Sequence, residues 1–249
     1  MSKEGSTKAP IRHPIDFNHP DFLNPKKLDD EMRRVFDICH GCRRCFNLCD
    51  SFPTLFDFID KSKEGEVSSL PSEKFGKIVD VCTLCDMCFR TYCPYVPPHE
   101  FNLDFPHLML RYRMYQKKIG KLSKIPSQLA KIDRNAKFGI MFSRIVNWFT
   151  NIKNKFFRKI LEVITGIDKR AILPKYNDET FEKYSKKNKD EINKLAPGFG
   201  RKVVIYSTCF VNFNKKDTGV AALKVLKKNG VDVQHVYPGC CGMPQLEQA

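Results

Sequence analysis

The sequence lacks the long apolar runs that secretion and membrane insertion require. Its first residues, MSKEGSTKAPIRHPIDFNHP, contain no apolar core of the kind that marks a secretory signal peptide. Elsewhere, charged residues interrupt the apolar stretches well short of the roughly 18–20 residues that a spanning helix needs. We therefore expect a cytoplasmic protein, in a compartment where thiols stay reduced.

Phosphate-binding signatures are missing as well. The sequence has no GxxxxGK loop to hold a nucleotide, and no segment matches a recognised nucleic-acid-binding module. The net charge is nevertheless +15, and residues 111–196 hold 22 Lys or Arg against 8 Asp or Glu, a balance of +14. The basic character therefore belongs to the middle of the chain and not to its cysteine-rich front.

Eight of the eleven cysteines stand in two groups near the front of the chain. The first group lies in DICHGCRRCFNLCD and the second in VCTLCDMCFRTYCP, and each has three cysteines at two-residue gaps followed by a fourth. The members are Cys39, Cys42, Cys45 and Cys49, then Cys82, Cys85, Cys88 and Cys93. In a reducing compartment such clustering indicates metal binding more often than disulfides.

The spacing matches the thiolates that hold [4Fe–4S] clusters. Three thiolates on one tight loop reach three corners of a cubane, and in two-cluster ferredoxins the fourth binds the partner cluster. One predicted cluster is therefore held by Cys39, Cys42, Cys45 and Cys93. The other is held by Cys82, Cys85, Cys88 and Cys49. Clusters with exchanged ligands would lie close enough together to pass single electrons.

Structural zinc is the competing interpretation of the two groups. Zinc takes four ligands, usually as two separated pairs, and two triplets with two outlying cysteines do not divide in that way. The pattern departs from the ferredoxin motif in two places: four residues precede Cys93, and no proline directly follows Cys49. His40 lies inside the first group, where an exposed or supporting role is a better interpretation than ligation.

Helical patterns lead into the first cysteine group and fill the middle of the chain. Asn24 followed by Pro25 predicts the start of a helix that runs directly into Cys39. Residues 138–165 repeat apolar side chains at three- and four-residue steps, which predicts one longer helix ended by Gly166.

The last fifty residues show a pattern of alternating strands and helix. KVVIYSTCF predicts a strand, TGVAALKVLKKNG a helix with a glycine stop, and VDVQHVYP a second strand, with spacing suited to a parallel pair. A lone unit of this kind exposes both edges of its sheet. We therefore expect either a truncated gene product or a partner that completes the sheet.

Three further cysteines follow the two predicted strands. Cys209 lies at the end of the first strand, and Cys240 and Cys241 lie at the end of the second. Because consecutive parallel strands bring their carboxyl ends to one edge, where ligands collect, we expect the three thiols to converge. Buried packing and a metal site both remain open for the Cys-Cys pair.

These segments resemble the CCG-domain iron–sulfur oxidoreductases. STCFVNFN and YPGCCGMPQLEQ are similar to the cysteine-rich domain of heterodisulfide reductases, of the C subunit of anaerobic glycerol-3-phosphate dehydrogenase and of glycolate and lactate oxidase iron–sulfur subunits. The two cysteine groups resemble the α-helical ferredoxin domain that precedes it there. The resemblance covers residues 25–110 and 200–249 well and the basic middle loosely. The later cysteine pair and second CCG repeat of the family are missing.

The resemblance implies electron relay through two [4Fe–4S] clusters. A flavin-containing dehydrogenase or similar redox subunit would be the donor, and a quinone or a disulfide would be the acceptor. In heterodisulfide reductase the CCG cysteines bind an additional iron–sulfur cluster. If the resemblance extends to this role, Cys209, Cys240 and Cys241 form part of such a third site, which is incomplete in this sequence. Catalytic residues stay unassigned.

Three interpretations compete for the basic middle. Its lysines could coat helices that pack between two domains. They could dock on an anionic membrane surface, because residues 138–165 join an apolar face to Lys153, Lys155, Arg158 and Lys159. They could also bind nucleic acid, as basic stretches bind phosphate. The alternative function is therefore a nucleic-acid-binding protein with structural iron–sulfur clusters.

The predicted fold class is mainly α with four parts. Residues 1–24 form an irregular lead, 25–110 a two-cluster α-helical ferredoxin-like domain, 111–198 a basic helical connector, and 199–249 the start of an α/β CCG domain. The predicted function is an iron–sulfur electron-transfer subunit of an oxidoreductase complex. It would be cytoplasmic or peripheral on the inner face of the cytoplasmic membrane.

Overall fold

In a computed structural model the chain divides into two compact units, Met1–Ser123 and Lys124–Gln248. The structure describes residues 5–122, 124–188 and 191–248. Helices make up most of the regular structure, and the described residues include a single two-stranded sheet, so the chain is mainly α as predicted. Within the described ranges, no helix has both the length and the apolar character that crossing a bilayer demands.

The first unit is built from helices joined by short turns. Its 3₁₀ turns cover Val67–Ser69 and Ser72–Lys74, and a π-helical turn covers Cys88–Tyr92. Its α-helices are α1 Pro25–Cys42, α2 Ser51–Asp60, α3 Phe75–Asp80 and α4 Phe105–Lys118.

The predicted start of α1 is confirmed. The side-chain oxygen of Asn24 accepts hydrogen bonds from the backbone N–H groups of Lys26 and Lys27, and Pro25 occupies the first helical position. The helix continues beyond Cys39 through Cys42, so both cysteines are carried by its last turn and not by a loop. The helix thus fixes the spacing of the first two thiols.

An apolar core joins the helices of the first unit. Phe36 of α1 packs edge-on against Phe75 of α3, with ring centroids 5.2 Å apart. Phe52 of α2 lies 4.7 Å from Phe105 of α4 by the same measure. All four rings are buried, and burying one such ring contributes about 1.5–3 kcal/mol. The cysteine groups border this core, so the burial that stabilises the helices also positions the sulfurs.

The second unit has short helices and one sheet. Its strands are β1 Lys202–Tyr206 and β2 Asp232–Val236. Its helices are α5 Lys124–Leu129, α6 Ile132–Met141, α7 Ser143–Phe149, α8 Lys155–Thr165, α9 Phe181–Lys187, α10 Cys209–Phe213, α11 Lys216–Lys228 and α12 Met243–Glu247.

The prediction of a single helix over residues 138–165 is wrong, because the segment is divided among α6, α7 and α8. Between α7 and α8, the side chain of Asn151 accepts a hydrogen bond from the Lys153 N–H at 2.9 Å, and the Asn154 side chain donates to the Trp148 carbonyl. Such bonds between side chain and backbone compete with helical hydrogen bonds. The predicted end of α8 at Gly166 is confirmed, with a left-handed φ of +74°.

The predicted strand–helix–strand unit is present in the second unit. β1 and β2 pair in parallel, with Lys202 opposite Asp232 and Tyr206 opposite Val236, and α11 connects them. Gly230 ends the connection with a φ of +84°, and a side chain there would lie 2.7 Å from the backbone nitrogen of Phe199. Only glycine fits this close approach of two backbone segments.

Candidate metal centre

Four cysteines of the first unit line one hollow. Cys39 and Cys42 come from the end of α1, Cys45 follows the turn after it, and Cys93 directly follows the π-helical turn. The hollow contains about 290 Å³ of atom-free space, its open mouth included. The rest of its wall is largely apolar and includes Ile38, Phe52, Phe56, Pro94 and Leu103. The structure therefore brings together the four thiols that the sequence assigned to one cluster.

An adjoining hollow connects the two cysteine groups. It contains about 230 Å³ and is lined by Cys39, Cys45 and Cys93 together with Cys88 of the second triplet. Phe89, Val96 and Phe105 complete much of its wall. Because three sulfurs line both hollows, the two groups are close neighbours in space.

Cys49 lies near the second triplet as well as near Cys45 of its own. Burial raises the pKa of the Cys82 thiol, and the neighbouring sulfurs of Cys49 and Cys85 raise it further. Burial also raises the pKa of Cys88, to which Cys45, Cys82 and Cys49 add. The fourth cysteine of each group therefore lies near the triplet of the other group.

The chemistry of the thiols fits a cationic group bound among them. Burial raises the pKa of Cys39 and of Cys93, and it raises that of Cys45 to about 12, with neighbouring sulfurs contributing to each shift. The backbone N–H groups of Tyr95 and Val96 act in the opposite direction at the Cys93 sulfur, because they donate hydrogen bonds to it. Thiolates crowded in this way need nearby positive charge, and bound iron would supply it.

The loops between the cysteines contain non-glycine residues with left-handed backbone. Arg43 has a φ of +49°, Leu84 of +51° and Asp86 of +63°, and each lies between two cysteines of a triplet. This conformation costs an L-residue roughly 1–2 kcal/mol; at Arg43 it forms the C-cap of α1, and strained residues of this kind also cluster at ligand sites.

Arg12, in the N-terminal lead, holds the second loop in place. Its guanidinium donates to both carboxylate oxygens of Asp86, at 2.6 and 2.8 Å, and to both of Asp104, at 2.9 and 3.0 Å. It also lies 4.1 Å above the Phe89 ring. Sequence reasoning missed Arg12 because a lone arginine in an irregular, proline-containing segment carries no motif.

His40 has the supporting position that its sequence context favoured. Its Nε2 lies 3.3 Å from an oxygen of Asp60, and Arg43 forms an ion pair with the same carboxylate. His40 is not among the residues that line the two hollows. The contact links the end of α1 to the end of α2 next to Cys42.

No three His, Cys, Asp or Glu side chains in the described ranges converge on a point that could hold a single metal ion. A zinc ion needs its four ligands within about 2.0–2.3 Å of one centre. A cubane instead presents a separate iron to each thiolate.

The second unit brings its three cysteines to one edge of the sheet. Cys209 begins α10, where the hydroxyl of Thr208 caps the helix, and Cys240 and Cys241 follow β2. Burial raises the pKa of Cys209, and the adjacent Cys240 sulfur, within hydrogen-bonding reach, raises it further. Cys241 lies close by and is exposed.

Asp133 of α6 organises the backbone at this edge. One of its oxygens accepts the Cys240 backbone N–H at 2.9 Å, and the other accepts the Tyr237 hydroxyl. Burial raises the pKa of Tyr237, and the bond to Asp133 adds to the shift. Gln245 donates to the Ala130 carbonyl at 2.7 Å from the opposite side. Sequence reasoning missed Asp133 because it stands in a segment dominated by lysine and arginine.

Curated proteins match part of this chain. The C subunit of anaerobic glycerol-3-phosphate dehydrogenase from Escherichia coli K12 is 32% identical over 106 residues, which are 42% of this chain and 25% of that protein. Its counterpart from Escherichia coli O157:H7 gives the same values. Citrate utilization protein B from Escherichia coli is 29% identical over 84 residues, 34% of this chain and 20% of that protein.

The chain is distantly related to these proteins. It spans a quarter or less of the length of each of these relatives. No family model matches the chain, and no solved structure matches it. The similarity to one component of a dehydrogenase agrees with the family resemblance drawn from the cysteine motifs.

Proposed function

We propose that this chain is an iron–sulfur electron-transfer subunit of an oxidoreductase complex. One [4Fe–4S] cluster is held by Cys39, Cys42, Cys45 and Cys93. The other is held by Cys82, Cys85, Cys88 and Cys49. The hollow lined by the first four thiols is the observation that carries the proposal, because its ligands come from both cysteine groups. When bound, such clusters supply one-electron redox chemistry.

Apolar residues surround the proposed site of Cys39, Cys42, Cys45 and Cys93, whereas Cys85 of the second set is exposed. Phe52 and Leu103 line both hollows and limit the approach of water to the sulfurs. Tyr95 and Val96 direct backbone N–H groups at the Cys93 sulfur. Hydrogen bonds to ligand sulfurs and exclusion of solvent are the means by which a protein sets the potential of a cluster.

The proposed partners follow from the similarity to one component of a dehydrogenase. A flavin-containing dehydrogenase would deliver electrons to the first unit, and a quinone or a disulfide would receive them. The proposed location is the cytoplasm, either free or peripheral on the inner face of the cytoplasmic membrane. Cys209, Cys240 and Cys241 would contribute ligands to a third iron–sulfur site.

We propose a separate role for each part of the chain. Residues 25–110 carry the two clusters, 111–198 form the connector, and 199–249 contain a strand–helix–strand unit of the CCG type. Helix α4 crosses residue 110 and ends at Lys118, and the first compact unit extends as far as residue 123. The lead over residues 1–24 contributes Arg12 to the second cysteine loop.

Anaerobic reconstitution of the full chain with iron and sulfide tests the proposal. After reduction, electron paramagnetic resonance should show two [4Fe–4S] signals that interact magnetically, because the two groups are neighbours. Cys42→Ser should abolish the interaction, whereas Cys241→Ser, which lies outside both sets, should keep it. A chain that binds zinc and no reducible iron would overturn the proposal.

A further inference from the structure

Helix α8 turns its apolar side chains to solvent and its arginine inward. Phe156 is 72% exposed and Val163 is 80% exposed, whereas Arg158 is 1% exposed. The Arg158 guanidinium donates to three backbone carbonyls of the loop after the helix, those of Asp168, Lys169 and Ala171, at 2.7–3.2 Å. The usual arrangement of an amphipathic surface helix is therefore reversed.

Helix α7 extends the same apolar surface. The rings of Trp148 and Phe149 pack on Phe157 of α8, with centroid distances of 5.2 and 4.5 Å, and Phe157 contacts Phe156 at 5.4 Å. Trp148 nevertheless remains 56% exposed. We call the resulting surface the α7–α8 face, defined by the exposed side chains of Ile145, Trp148, Ile152, Phe156, Ile160 and Val163.

Exposed lysines accompany the α7–α8 face. Lys153 lies in the turn before α8, and Lys155 and Lys159 lie one turn apart on the helix itself. Among the described residues none of the three forms an ion pair. The centres of protein–protein interfaces are depleted in lysine, whereas helices that lie on membranes combine aromatic and aliphatic side chains with lysine.

We infer that the α7–α8 face docks on an anionic lipid bilayer, with α8 lying in the interfacial plane. Its exposed apolar side chains enter the boundary between head groups and acyl chains, and the lysines pair with lipid phosphates and carboxylates. Trp148 occupies the depth at which tryptophan is enriched in membrane proteins. The inference adds a docking surface to the proposed function and is independent of the clusters in the first unit.

Trp148 is the one tryptophan of the sequence and so reports on this face directly. The full chain is mixed with phosphatidylcholine vesicles that contain or lack phosphatidylglycerol, and binding is measured by sedimentation. With anionic vesicles we expect co-sedimentation, a blue shift of Trp148 emission and quenching by brominated acyl chains. High salt should weaken binding, because a charge contribution is screened.

Two matched pairs of variants locate the binding surface. Val163→Ser should weaken vesicle binding roughly tenfold. Val225 is also exposed but lies on α11, so Val225→Ser should leave vesicle binding unchanged. Replacing Lys155 and Lys159 together by Gln should cost about fivefold per lysine on anionic vesicles. The same change at Lys224 and Lys228 of α11 should have little effect. Circular dichroism checks that each variant folds.

Several outcomes would overturn the inference. The first is unchanged Trp148 emission in the presence of anionic vesicles. The second is vesicle binding that Val163→Ser and Val225→Ser weaken equally. The third is a dimer, detected by light scattering, that Phe156→Ser dissociates. In that last case the α7–α8 face would join two copies of the chain. None of these results alters the resonance signals of the reconstituted cysteine groups, so a failure here is distinct from a failure of the electron-transfer proposal.

Discussion

Arg12 and Asp86 form a two-bonded ion pair, with Nη1 2.6 Å from Oδ2 and Nη2 2.8 Å from Oδ1. The pair joins the N-terminal lead to the loop between Cys85 and Cys88. Asp86 adopts a left-handed φ of +63°, and the ion pair with Arg12 helps to hold it there. The lead is therefore part of the structure that shapes the second cysteine site.

Arg12→Ala is expected to loosen this loop. The change removes the guanidinium from two partly buried carboxylates, of which Asp104 keeps its contact with His107, and it should lower the free energy of unfolding of the first unit by about 1–3 kcal/mol. Reconstituted protein should then lose iron faster from the site of Cys82, Cys85 and Cys88. Thermal unfolding followed by circular dichroism and the rate of iron release to a chelator measure the two effects.

Arg170→Ala is the matched control for that prediction. Arg170 also forms a pair with an aspartate, Asp168, but both side chains are largely exposed. Exposed pairs contribute little to stability, so this variant should behave like the parent chain. If Arg12→Ala and Arg170→Ala lost iron equally fast, the ion pair between Arg12 and Asp86 would not stabilise the cysteine loop.

Cys93→Ser is expected to damage the cluster of the first triplet. The Cys93 sulfur lines the hollow that also contains Cys39, Cys42 and Cys45, so its loss should remove roughly half of the reconstituted iron. Combining Cys93→Ser with Cys42→Ser should cost no more iron than either change alone, because both act on one cluster. Combining it with Cys85→Ser should remove nearly all of the iron. The reverse pattern would contradict the exchanged ligands.

Asp133→Ala is expected to free the segment that carries Cys240. The change removes the acceptor of both the Cys240 N–H and the Tyr237 hydroxyl, at a cost of about 1–3 kcal/mol in the unfolding free energy of the second unit. Urea unfolding followed by Trp148 fluorescence measures this cost. The reaction of Cys240 with a thiol reagent should also become faster. Asp217→Ala, at the exposed start of α11, is the control, and unchanged thiol reactivity after Asp133→Ala would contradict the prediction.

The second unit is expected to lose stability below about pH 6.5 because of His235. The imidazole lies 2.8 Å from the Ser207 hydroxyl and 3.1 Å from that of Ser185, and burial lowers its pKa. The unfolded chain then binds a proton more readily than the folded chain does, so the stabilising contribution is complete above the unfolded pKa. It declines as the pH falls towards the folded pKa.

His235→Gln should remove this part of the pH dependence. Glutamine keeps an amide that can bond to the serine hydroxyls but has no titratable group in this range. Unfolding free energies from Trp148 fluorescence, compared between about pH 8 and pH 5, give the difference between parent and variant. If the unfolding free energies of parent and variant changed with pH in the same way, His235 would have the same pKa in the folded and unfolded chain, and the prediction would be wrong.

Local features of the fold were predictable from neighbouring residues. Asn24 and Pro25 set the start of α1, and Gly166 ends α8, because capping depends on a few adjacent positions. The parallel pairing of β1 and β2 followed from the length of the connection between them. The division of residues 138–165 into three helices was not predicted, because apolar periodicity continues through the turn at Asn151.

The amino-acid order by itself determined which groups could bind metal and where helices and strands begin, since both depend on spacing along the chain. The cysteine spacing predicted that Cys93 would join Cys39 and that Cys49 would join Cys82. Tertiary structure alone decided that Phe52 and Leu103 wall the hollow of Cys39 and Cys93. It also placed Arg12 against a distant loop and exposed the apolar face of α8. These outcomes depend on which surfaces are buried when remote segments pack, and no local spacing encodes that choice.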